Sequence, residues 1–230
     1  MSTIAPPRST VDAASASSGL SPLGHAAAAT RSPADDPPLS WAQTRELIRS
    51  DYGRILETMG GQTSLGKCLF WSLLPSRQAM LWYRIGRYCF LRGWRNTAWL
   101  VFLLSTYLTR IEIPPTTAIG RACLVGHAPV VLCGRFGDHF TIYGDGGTGG
   151  GIEERDIGGG PDLPVVGNNV VFAIRAMALG PIRIGDNARL GPSCTVMKDV
   201  PTGAMVAASP SRVVPMRTAS SNTDNPRDNA

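Results

Sequence analysis

The chain has 230 residues, an apolar content of 43% and a formal net charge of +5, enough for one substantial domain with smaller attachments. Its basic residues form no long clusters, which argues against a nucleic-acid-binding protein. Five cysteines without C-x-x-C spacing and only three histidines argue against a zinc site; no apolar run reaches the roughly 20 residues of a membrane-spanning helix.

The N-terminus lacks a charged stretch followed by an apolar core, so no export signal is expected and the cytoplasm is the expected compartment. Residues 1–39 are rich in Ala, Ser and Pro and are expected to be disordered, because they cannot bury enough apolar surface to offset ordering entropy. A helical region is expected over residues 40–110. Ser40 and Gln43 form a capping-box pattern, followed by an apolar set of Trp41, Leu47, Ile48, Ile55, Leu56 and Met59, with Gly60-Gly61 as the stop. A second helix is expected from about Arg77 to Leu91, broken at Gly93, and a third from about Trp94 to Thr109.

Residues 76–110 carry Arg84, Arg87, Arg92, Arg95 and Arg110 without one acidic residue, and all five tryptophans lie between Trp41 and Trp99. Tryptophan beside arginine on short amphipathic helices suits a peripheral membrane contact. It equally suits a helical cap packed on the end of the next domain or an oligomer contact.

From Ile111 the pattern changes. Val166, Phe172, Ala178, Ile184, Leu190 and Val196 recur every sixth residue. Val170, Ala176, Ile182, Ala188, Cys194 and Val200 follow each of them by four. Ile113, Ile119 and Val125, then Phe136 and Ile142, continue that spacing upstream. A period of six fits neither a helix face nor a simple alternating strand. It fits a coil with three short flat sides, each sending one side chain inward, which buries its apolar residues only by stacking on the next coil. The expected β-solenoid covers residues 111–214, interrupted by a glycine-rich excursion loop over 144–164, and residues 215–230 read as a disordered polar tail. Cys123 and Cys194 fall on inward positions and read as buried free thiols.

The blocks "AIGRAC", "FGDHFTIY", "VVGNNVVF" and "RIGDNARLGPSCTVMKDVP" together resemble the hexapeptide-repeat acyltransferases, serine acetyltransferases above all, over about residues 76–214. The resemblance implies a mainly β protein built on a left-handed parallel β-helix. It implies acetyl-CoA as acyl donor, no metal, a homotrimer with active sites between subunits, and transfer to a hydroxyl group.

The resemblance assigns roles residue by residue. His127, just past an I-G-x-x-x-x block, stands at the position of the general base, and Glu112 stands one coil earlier where the family has an aspartate that orients it. His139, the other histidine of the expected folded part, replaces a turn asparagine and reads as an exposed corner. On the donor side the family's Gly-Ala-Gly-Ala appears as Ala173-Ile174-Arg175-Ala176, while Lys198 and Arg212 match basic positions near the solenoid exit that face CoA phosphates.

Two departures bear on the acceptor. Gly126 stands where the family has Asp, Asp162-Leu163-Pro164 stands where it has Arg-His-Pro, and Arg155 is the only cation near that loop. A zwitterionic amino acid needs paired charges to be selected over water. A neutral sugar hydroxyl, as in surface-polysaccharide synthesis, is therefore the acceptor expected first. Serine, as in cysteine biosynthesis, is the alternative, and a non-catalytic solenoid scaffold is a further one.

Overall fold

The computed structural model describes residues 32–58, 73–150 and 162–209. Three helices lead: α1 (Trp41–Thr58), α2 (Pro75–Leu91) and α3 (Arg95–Thr109). The capping box at α1 forms as expected: Ser40 N donates to Gln43 Oε1 at 2.8 Å, and Gln43 N donates to Ser40 Oγ at 3.2 Å. Gly93, at φ +84°, turns the chain between α2 and α3. Met59 and Gly60-Gly61 lie outside the described residues.

Twelve short strands follow among the described residues, every pairing parallel: β1 (Ile111–Glu112), β2 (Ala118–Ile119), β3 (Leu124–Val131), β4 (Arg135–Phe136), β5 (Thr141–Gly149), β6 (Val165–Val166), β7 (Val171–Phe172), β8 (Met177–Leu179), β9 (Arg183–Ile184), β10 (Arg189–Leu190), β11 (Thr195–Val196) and β12 (Met205–Val206). They stack into a three-sided solenoid. The first side is β2-β4-β6-β9; the second holds β7, β10, β12 and the starts of β3 and β5; the third holds β1, β8, β11 and the ends of β3 and β5. Facing residues Val165↔Arg183, Val171↔Arg189 and Met177↔Thr195 are each eighteen apart, three repeats of six.

Every residue of the six-spaced set and of its partner set four residues later is buried. Phe136, Phe140 and Phe172 fill the axis with ring centroids 4.7 and 5.2 Å apart. Each coil turns its first corner on a left-handed residue, Ala122, His139, Asn169, Asn187 and Gly203 in succession. His139 thus takes the place of the turn asparagines and is exposed, with Arg54 Nη1 2.6 Å from its Nδ1.

Three expectations need correction. The glycine-rich segment does not leave the solenoid at residue 144, since β5 runs to Gly149. A Cβ at Gly144 would strike the His127 carbonyl and one at Gly147 the Val131 carbonyl, so these glycines serve close coil stacking. Residues 32–39 are not loose. Pro33–Asp35 form a 3-10 turn, and Asp36 accepts from Arg87 Nη2 at 2.8 Å and Arg135 Nη2 at 2.7 Å. The face of α1 also differs, because Trp41 and Leu56 are exposed while Thr44 and Asp51 are buried. The remainder of the two termini, residues 1–31 and 210–230, lies outside the described residues.

Asp51 is buried because it meets Arg84 of α2. Arg84 Nε and Nη2 donate to the two Asp51 oxygens at 2.9 and 3.1 Å, and Nη1 and Nη2 donate to the carbonyls of Ile119 and Gly120, both at 2.6 Å. Cys123 N donates to Asp51 Oδ1 at 2.9 Å, so one ion pair joins two helices to the solenoid. Burial alone would lower the Arg84 pKa, but the Asp51 carboxylate outweighs it and the pKa ends above the ordinary arginine value. Arg87 is also turned inward, onto the carbonyls of Pro115 and Pro33 as well as Asp36. Two of the five arginines that suggested a membrane surface are therefore internal. No helix among the described residues is long and apolar enough to cross a membrane.

Breaking one side of a buried pair leaves an uncompensated charge. Arg84→Ala is expected to cost about 3–5 kcal/mol of stability in denaturant unfolding. Arg189→Ala, at an exposed solenoid position, should stay within about 0.5 kcal/mol.

Candidate active site at a solenoid corner

Strands β3 and β5 run round the corner between the second and third sides, and His127 sits on that corner. Its register partner on the next coil is Gly144. Arg175 N donates to the Gly144 carbonyl at 3.0 Å, and Ser193 N donates to the Ile174 carbonyl at 3.0 Å. The candidate base and the candidate donor turn therefore belong to one column of stacked corners. At about 4.8 Å per coil, His127 and Arg175 lie roughly 10 Å apart along the axis. The pairing of β3 with β5 shifts between His127 and Val130, which breaks the regular side just where the imidazole leaves it.

The His127 side chain is exposed and makes no hydrogen bond among the described residues. It opens on a cavity of about 610 Å³, walled also by Ser76, Arg77, Leu108, Arg110 and Tyr143. Arg110 ends α3 in the left-handed conformation, φ 58°, with its N donating to the Thr106 carbonyl at 2.9 Å. Partial burial lowers the Arg77 pKa from the ordinary arginine value, while Tyr52 nearby opposes that. Neither arginine entered the sequence reading of the site. Both come from the helical region, and no repeat pattern links that region to a solenoid corner.

Gly126 has a packing explanation. A Cβ there would strike the carbonyl of Tyr143 on the next coil, so an aspartate would not fit without a backbone shift. Glu112 lies on β1 opposite Val131, and no hydrogen bond joins it to His127. Its charge is felt instead at Cys133, whose thiol pKa is raised by burial first and by Glu112 second.

The donor residues divide. Ala176 is fully buried and Ala173 half-buried, so the turn offers backbone rather than side chains. Arg175 stands at φ 61°, a conformation glycine adopts without cost, and its Nε pairs with Asp145 Oδ2 at 2.7 Å. Both side chains are well exposed, so that pair adds little stability. Lys198 is exposed after β11, at the opposite end of the third side, and is not brought to the His127 corner. Arg212 and Arg155 lie outside the described residues. Asp162 and Leu163 are exposed, and the Pro164 carbonyl accepts from Arg135 N at 3.1 Å, so this stretch leads the chain back into β6.

A larger groove, about 900 Å³, runs along the first side. Its carboxylates are occupied by backbone: Asp138 accepts from Arg121 N, Asp186 from Asn168 N and Asp199 from Arg183 N. It holds no histidine or cysteine. Among the described residues no three His, Cys, Asp or Glu side chains converge as a metal-binding group.

No family model matches the chain. Individual relatives do. A serine acetyltransferase of Helicobacter pylori is 33% identical over 145 residues, covering 62% of this chain and 82% of the relative. One of Mycobacterium tuberculosis is 34% identical over 143 residues, covering 61% of each, so the match spans about three-fifths of that relative's length. Among solved structures, Neisseria gonorrhoeae serine acetyltransferase superposes with a TM-score of 0.65 at 25% identity, covering 76% of this chain and 69% of its own. A serine acetyltransferase solved in complex with CoA shares the fold, with a TM-score of 0.61 at 21% identity over 76% of this chain and 70% of its own. With its six-residue repeat, its parallel solenoid and a relative matched over four-fifths of that relative's length, this chain belongs to the serine acetyltransferase family of hexapeptide-repeat proteins.

Proposed function

We propose that this chain transfers the acetyl group of acetyl-CoA to the hydroxyl of serine. The observation that carries the reading is one cavity that holds His127 together with Arg77 and Arg110. The sequence reading favoured a sugar because the family's Arg-His pair is missing from residues 162–164. The relatives compared above are named for serine. The cavity offers two cations from the helical region instead, suitably charged for an acceptor carboxylate.

In this reading His127 takes the proton of the acceptor hydroxyl as its oxygen attacks the thioester carbonyl. The C–O bond forms, the C–S bond breaks, and the proton held on the imidazolium passes to the departing CoA sulfur. Among the described residues the ring makes no hydrogen bond that it would lose on meeting substrate. Glu112, at the family's orienting position, lies opposite Val131 without a bond to His127, so the reading gives the proton transfer to His127 alone. The donor lies along the third side, its pantetheine arm against the Ala173–Ala176 backbone with Arg175 beside its thiol end, and its phosphates toward Lys198. A neighbour solved with CoA supports that choice of donor.

The working unit in this reading is a homotrimer. Tyr143, Ile174 and Met177 are exposed apolar residues around the same corner, and closed symmetry would cover them and wall the donor groove. Sedimentation should give three times the chain mass, and a monomer at assay concentration would contradict the shared groove.

Thiol release from acetyl-CoA, run against serine and a panel of sugars, tests the reaction. Serine is expected to be the best acceptor. His127→Ala should lower turnover about 10²–10⁴-fold, the usual worth of a positioned proton transfer, while the corner variant His139→Ala leaves it near the parent value. Full activity in His127→Ala would refute the mechanism. Retention on a CoA matrix without release to any acceptor would instead favour the scaffold reading.

The carboxylate site has a separate signature. Arg110→Gln should raise KM for serine about tenfold or more, since a charge-assisted contact is removed, and should leave any slow reaction with a neutral alcohol unchanged. An equal effect on both acceptors would place Arg110 outside the acceptor site.

A further inference from the structure

Helix α3 is packed inside out. Its fully buried residues are small or polar, Ala98, Ser105 and Thr109, and Val101 and Phe102 are half-buried, whereas most of its large apolar side chains face away from the protein. Leu100, Leu103, Leu104, Tyr107 and Leu108 are 57, 61, 47, 86 and 63% exposed. At 3.6 residues per turn these five fall within about 140° of arc, one continuous apolar stripe. Trp94 and Trp99, 57 and 41% exposed, extend it toward the start of the helix. A surface of this kind on a solvated protein marks an interaction site.

Charge around the stripe selects the occupant. Between Glu57 and Glu112 the sequence has no acidic residue. Arg84 and Arg87 are spent on Asp51 and Asp36, which leaves Arg92, Arg95 and Arg110 exposed at the two ends of α3. Arg92 lies over the Tyr88 ring at 5.3 Å and Arg95 over the Phe90 ring at 5.8 Å, so both heads are held at the α2–α3 corner beside Trp94. A second copy of this stripe would set arginine against arginine whether the two helices ran parallel or antiparallel. An anionic lipid surface meets the same arginines with opposite charge and takes the leucines into its acyl boundary. Tryptophan and tyrosine at the two ends suit the headgroup level.

We infer that α3 is a membrane-docking helix that lies flat on an anionic lipid surface, with Leu100, Leu103 and Leu104 inserted and Arg92 and Arg95 on the headgroups. The inference stands apart from the acetyl-transfer reading. It commits the helix opposite to its usual role, with the apolar face turned away from the protein core.

Flotation of the full chain with vesicles tests it, using phosphatidylcholine alone and phosphatidylcholine mixed with phosphatidylglycerol. The parent should float with the mixed vesicles, less with phosphatidylcholine alone, and less as salt rises. The double variant Leu103→Gln/Leu104→Gln should bind at least about tenfold more weakly, from lost apolar burial. Arg92→Gln/Arg95→Gln should lose about fivefold per arginine on the mixed vesicles and nothing on phosphatidylcholine alone. All these side chains are at the surface, and matching unfolding curves will show that both variants fold. A parent that does not float, or a leucine variant that floats like the parent, overturns the inference. So does a parent that stays in solution while the leucine variant sediments at a fraction of its mass, because the stripe would then be a subunit contact.

Discussion

A coil of this solenoid cannot bury its own apolar side chains; it buries them only against the coils above and below. That requirement fixes a register, and the register governs the rest. Inward residues recur every sixth position, and facing residues repeat every eighteen where the coils are regular. Corners fall in columns whose backbone must turn left-handed at the first of them, from Ala122 to Gly203. The corner between the second and third sides puts His127, Gly144 and Arg175 on successive coils, although forty-eight positions separate the first from the last. A site assembled this way tolerates insertion between coils, and the segment after Gly149 is such an insertion: Thr141 and Val171 face each other across thirty positions.

The helical region meets this rigid column through buried polar contacts as well as through Ala79, Met80 and Tyr83 of α2, which join the solenoid core. Arg84 satisfies Asp51 and two solenoid carbonyls, Tyr83 Oη donates to the Thr117 carbonyl at 2.9 Å, and Arg87 reaches the Pro115 carbonyl. No buried side-chain nitrogen or oxygen among the described residues lacks a partner. Such contacts fix orientation more tightly than apolar packing, because a small slip leaves a buried charge unmet. Two consequences follow for function. The α3 terminus is held where Arg110 borders the His127 cavity, and the outer face of α3 keeps its leucines in the open.

The repeat was legible because inward positions are chemically uniform: each six-spaced residue is buried, and the capping box at Ser40 forms as written. His127 enters as the candidate base only through its place after a repeat block. The glycine segment was misread because glycine-rich sequence suits both a loop and a close-packed strand, and only the neighbouring carbonyls of His127 and Val131 decide between them. The α1 face was misread because its buried residues are Thr44 and the charged Asp51, which burial patterns built on apolar side chains pass over. Arg77 and Arg110 were missed as site residues for a related reason. Their approach to His127 depends on how helices dock, which is a long-range property absent from local spacing. The apolar stripe of α3 looks in sequence like an inward face, and only the burial of Ala98, Ser105 and Thr109 shows that it points outward.

The central claim is that the corner column is where acetyl donor and acceptor meet, and the most direct measurement is a crystal structure of the protein with CoA and serine. The account predicts the CoA sulfur at the His127–Gly144–Arg175 column, the serine hydroxyl within hydrogen-bond reach of His127 and about 3–3.5 Å from the acetyl position, and the carboxylate toward Arg110. A CoA sulfur seated elsewhere, such as along the groove of the first side, with His127 facing only solvent, would contradict it.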